Sequence, residues 1–135
     1  MRLVYALLAA LGIVLAGLVV SSVVVLMVGG KVTDWPRDVA TVLFVHVPWV
    51  VTFGVAAVVA GAIHRGGRTS PAHLIAVFGV PVLACVLSVW SGIASDVVAG
   101  GLLSAAEAAV GAVGGWLVSR HFARQNENQG YLPAY

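Results

Sequence analysis

The sequence predicts an all-α integral membrane protein, a four-helix bundle with four transmembrane helices. Three observations carry that class. Of the 135 residues, 61% are hydrophobic, and mean hydropathy is +1.05. Only 9% are Asp, Glu, Lys or Arg, against about 25% in an ordinary soluble domain. Four stretches also reach the roughly 20 apolar residues needed to cross ~30 Å of hydrocarbon. So few polar groups cannot cover a water-facing shell, and a disordered chain needs the opposite balance. The single cysteine, Cys85, excludes a disulfide framework. The length suits one transmembrane domain over 1–122 with a short polar tail over 123–135.

The first helix is expected over 3–27. A signal peptide has an apolar run of only about 7–15 residues, so this one is read as retained. The loop 29–38 (GGKVTDWPRD) is rich in turn formers and places Trp35 at headgroup level. The second helix is expected over 39–63, followed by the Gly/Ser/Pro turn 64–73. The third is expected over 74–94. A turn around Ser95 and Asp96 leads into the fourth, over 98–119. That turn is so short that helices three and four read as a tight antiparallel hairpin. The tail carries QNENQG, whose middle is expected to be mobile, and ends in Tyr-Leu-Pro-Ala-Tyr.

None of the four spans contains Lys or Arg. Arg2, Arg65, Arg68, Arg120 and Arg124 fall on one side and Lys31 and Arg37 on the other. The side richer in Lys and Arg faces the cytoplasm, so both termini are expected there, in a prokaryotic cytoplasmic membrane. The net charge of +2 is then a consequence of topology. No nucleic-acid partner is expected.

Glu107 is the one charged residue inside a span. It lies nine residues into the fourth helix, ~13 Å deep at 1.5 Å per residue. A charge there costs roughly 2.5–3.5 kcal/mol on insertion scales. It is tolerated if protonated, paired, or facing water. Gly100, Ser104, Glu107, Gly111 and Gly114 recur at steps of three and four and share one face. Gly111 and Gly115 form a G-x-x-x-G pair, the spacing that lets helices approach closely in lipid. Pro81, Cys85, Ser88, Gly92 and Ser95 make a matching seam on the third helix, with a kink expected at Pro81. Cys85 reads as a small packing residue.

The second helix carries His46, Pro48 and Trp49. His46 is ~10 Å deep and reads as a satisfied core histidine, a partner for Glu107, or a haem ligand. His46, Glu107, Ser88, Ser21 and Ser22 all fall in one slab ~8–13 Å below the outer surface. With Ser104, these are the candidate proton or cation site. A polar layer at one depth suits a proton relay; serines also occur in membrane helices for packing alone. His64, His73 and His121 read as interfacial histidines without a metal-ligand spacing.

The tetrapeptide His46-Val47-Pro48-Trp49 resembles the HVP stretch of membrane proteins that handle haem during cytochrome c maturation. The resemblance spans about five residues, and the tryptophan-rich outer loop of that family is missing here. Small multidrug transporters are similar in length, helix count and single membrane carboxylate, but theirs is in the first helix. Neither resemblance assigns a family.

Three functions fit. The first is a non-catalytic subunit or assembly factor of a membrane complex, docking on other membrane subunits or a second copy through its glycine seams. The second is a small oligomeric proton- or cation-coupled carrier or channel using Glu107. The third is a haem- or redox-associated protein using His46, with Met1 or Met27 as a second ligand. Otherwise no cofactor or metal is expected. No nucleophile–base–orienter set or phosphate-binding loop is visible, so enzymatic activity is not expected.

Overall fold

The computed structural model describes residues 1–28, 36–64 and 70–129. They form α1 (Arg2–Val28), α2 (Arg37–Thr41), a π-turn (Val42–His46), α3 (Val47–Ile63), α4 (Pro71–Ala94) and α5 (Val98–Gln129). There is no strand among the described residues. Four segments are long and apolar enough to span a membrane: Arg2–Val28, Val39–Ile63, Pro71–Ala94 and Val98–His121.

The packing is inverted relative to a soluble protein. The core is mostly alanine: Ala6 and Ala10 of α1, Ala56, Ala57 and Ala60 of α3, Ala76 of α4, and Ala108 and Ala112 of α5 are buried. Large residues face outward instead, as with Leu26 (82% exposed), Trp90 (72%) and Val110 (62%). In water this would expose far more contiguous apolar surface than a monomer tolerates. In lipid the same surface costs nothing, and small inward residues allow close backbone packing. This is the fold of a membrane protein.

Two of the expected boundaries move. The third span begins at Pro71 rather than near residue 74. Ser70 is its N-cap and accepts from the His73 N–H at 3.2 Å, with Pro71 in the first turn. That pairing of cap and proline is a standard helix start. α5 runs to Gln129 rather than ending near Ser119. The polar stretch after the span therefore continues the helix, because nothing in it breaks one before Gly130. α4 is continuous through Pro81. The loop with Trp35, residues 65–69 and the final Tyr-Leu-Pro-Ala-Tyr lie outside the described residues.

The second span is not a uniform helix. Pro48 has no N–H, and its ring clashes with the carbonyl four residues back in a regular α-helix. The chain widens by one residue just ahead of it. The Val47 N–H bonds the Val42 carbonyl, a step of five. Single π-turns of this kind recur at functional sites, and this one ends on His46.

The end of α4 is closed by a Schellman arrangement. The Val97 N–H bonds Gly92 O at 2.8 Å, and the Asp96 N–H bonds Ile93 O at 3.4 Å. Asp96 takes the left-handed position (φ 55°), which Asp tolerates better than most residues. At the opposite end of the bundle His73, only 6% exposed, donates from Nδ1 to the His64 carbonyl at 2.9 Å. This ties the start of α4 to the end of α3. Arg120 lies over the Trp116 ring, 4.6 Å from its centre.

Candidate functional site

α5 meets α3 through glycines. A Cβ on Gly111 would strike the Val50 carbonyl and come within 2.9 Å of the Phe53 Cβ. One on Gly115 would strike the Gly54 carbonyl. The contacts advance in step along both helices, residue 50 with 111 and 54 with 115. One turn earlier on each helix the same register brings His46 opposite Glu107.

These two side chains touch: His46 Nδ1 contacts Glu107 Oε1. Glu107 is 7% exposed. The histidine side chain is more open, at 28%. The second carboxyl oxygen, Oε2, is buried and has no hydrogen-bond partner among the described residues. An unpaired buried acceptor is costly.

A hydrogen bond between Nδ1 and Oε1 takes one proton. It belongs either to an imidazole N–H donating to a carboxylate or to a carboxyl O–H donating to the imidazole. In the first case, with Nε2 bare, the pair carries one negative charge. Taking up one more proton makes the pair neutral, either as imidazolium and carboxylate or as imidazole and carboxylic acid. Neither of these states is positive. That matters in a medium where each uncompensated charge is expensive.

The other candidate residues separate into groups. Ser88 and Ser104 line a groove of about 430 Å³ between α4 and α5, with Ser91, Ser95, Gly92 and Gly101. Ser22 is exposed and its hydroxyl donates to its own helix at Leu18 O, 2.8 Å; Ser21 is half-buried beside it. No hydrogen bond joins either to the pair among the described residues. Pro81 is buried and Cys85 half-buried. The Cys85 thiol donates to Ala105 O at 3.2 Å. Met1 and Met27, the offered second haem ligands, are 99% and 70% exposed at the two ends of α1.

The glycine seam of α5 is shifted by one residue at two places. Gly100 is exposed, and Gly101 instead packs on α4, where a Cβ would come within 3.0 Å of the Gly92 Cα. Gly114 faces open space and Gly115 makes the contact with α3. Adjacent glycines at 100–101 and 114–115 look alike in sequence, and only the packing selects one of each. Gly54 and Thr52 of α3 were not anticipated. Thr52 sits on Gly17 of α1; the small residue at Gly54 was the available signal.

Comparison with protein families, with curated proteins and with solved structures gives no match.

Proposed function

We propose that this chain is a small proton-handling membrane protein, a carrier or channel whose proton site is the His46–Glu107 pair. The observation that carries the reading is the pair itself. An acid and a base meet within the membrane-spanning bundle, and one acid oxygen has no partner among the described residues. Ionisable groups within a membrane span mark ion and proton paths by default.

An accessory or assembly role ranks second. It relied on open glycine faces for docking. Gly92, Gly111 and Gly115 are covered by this chain's own helices, leaving Gly100 and Gly114 open. A haem role at His46 ranks third, since Nδ1 is engaged by Glu107.

The proposed setting is a prokaryotic cytoplasmic membrane with both termini inside and α4–α5 a tight antiparallel hairpin. Four helices are few for a complete transport path, so a homo-oligomer is part of the proposal.

The test is proton flux into liposomes containing the purified protein, read with an enclosed pH dye under an imposed potential. Glu107→Gln should lower the flux more than about tenfold, since a positioned acid–base group contributes at least that much to proton transfer. Equal flux in both proteins would overturn the reading.

A further inference from the structure

Two observations meet at one end of α5. The first is the groove between α4 and α5. It opens beside the Ser95–Asp96 turn, where both residues are exposed, and is lined by four hydroxyls, those of Ser88, Ser91, Ser95 and Ser104. The second is the orphaned Oε2 of Glu107. Ser104 precedes Glu107 by three residues, one helical turn and ~4.5 Å of rise. On a helix those two positions are neighbours. The groove thus reaches down from the headgroup level to the turn above the buried acid.

We infer that this groove is a hydrated vestibule, and that water and hydronium reach Glu107 through it by way of Ser104. The inference rests on the proton-site reading above and adds the route and the ligand. A lipid tail offers nothing to four serine hydroxyls, whereas a water file satisfies them and the free carboxyl oxygen together. A space of about 430 Å³ holds several waters, each taking ~30 Å³ in the liquid. One turn below Ser88 on α4, the Cys85 thiol donates to Ala105 O and ties the two helices together. Gly92 packs directly on Gly101, which fixes the spacing of the two helices beside the groove.

Thiol accessibility in the full-length protein tests this. In a Cys85→Ala background, Ser104→Cys is compared with Leu103→Cys, whose parent residue is 49% exposed on the outer surface. The probe is a quaternary-ammonium methanethiosulfonate, which reacts with thiols in water and not in hydrocarbon. We expect Ser104→Cys to react more than about tenfold faster than Leu103→Cys, and the attached cation to block proton flux. Slow labelling at both positions, with both still labelled by a lipid-soluble maleimide, would overturn the vestibule and point to lipid or a partner helix in the groove. The two readings fail separately. Loss of flux in Glu107→Gln with an unreactive Ser104→Cys removes the vestibule alone. Fast labelling with flux indifferent to Glu107→Gln removes the proton-site function and leaves a hydrated groove.

Discussion

At the residue scale, the His46–Glu107 pair makes an energetic prediction independent of flux. Replacing one partner of a buried polar pair strands the other, while replacing both with apolar residues is often nearly neutral. His46→Leu leaves Glu107 with two unpartnered buried oxygens, so about 2–3 kcal/mol of stability should be lost. Glu107→Leu leaves a histidine that is already partly open and should cost about 1 kcal/mol. The double variant should be close to the parent, so the two single losses should couple by about 3–4 kcal/mol. Unfolding in mixed detergent measures all four corners. Purely additive effects would mean the two side chains do not interact. Asp96 offers a second test. Its left-handed conformation favours glycine, so Asp96→Gly should stabilise by about 0.5–1 kcal/mol, whereas Asp96→Val should destabilise by about 1–2 kcal/mol.

At the element scale, what was legible in the sequence was the length and hydrophobicity of each helix. What was not legible was phase. A run such as AAEAAVGAVGG is small on nearly every face, so a periodic pattern cannot say which face packs. Structure resolves it through steric contact, and substitutions can read it back. Gly111→Ala and Gly115→Ala push a methyl into backbone carbonyls of α3, which cannot rotate away. Each should cost about 3 kcal/mol, at or above the upper end for overpacking. Gly114→Ala meets open space and should be neutral or gain up to about 1 kcal/mol from helix propensity. If all three alanines behave alike, the α3–α5 register is wrong. The π-turn was likewise invisible to hydropathy, although Pro48 signalled a local departure. Pro48→Ala returns the missing N–H and removes the ring clash that the wide turn relieves. The segment ending in His46 should then shift phase by up to about 100° and leave Glu107. Proton flux should fall toward that of Glu107→Gln while helix content by circular dichroism stays constant. A variant with full flux would show that the wide turn does not position the histidine.

At the scale of the whole molecule, inverted packing and topology follow from the same economy of charge. Seven basic residues are confined to the connections and ends because no span can hold them. Four spans are an even number, so the termini share a side whichever way the chain inserts. In the proposed topology, only the five-to-two distribution of Lys and Arg chooses the cytoplasm. These are separable claims, and reporters tell them apart. A periplasm-active enzyme fused after Tyr135 should be silent and a cytoplasm-active one bright, with the same result at the N-terminus. Both ends bright on the periplasmic side would keep the four spans and reverse the charge argument. One end on each side would remove a span, most readily the first, whose Ala6 and Ala10 pack in the core but most of whose residues are not buried. Orientation in turn decides which way a proton enters. With both termini inside, the mouth between Ser95 and Ser104 opens to the periplasm. Adding the impermeant methanethiosulfonate to intact cells carrying Ser104→Cys should then label the protein as fast as in opened membranes. Labelling only after the membranes are opened would place that mouth in the cytoplasm and reverse the direction of loading.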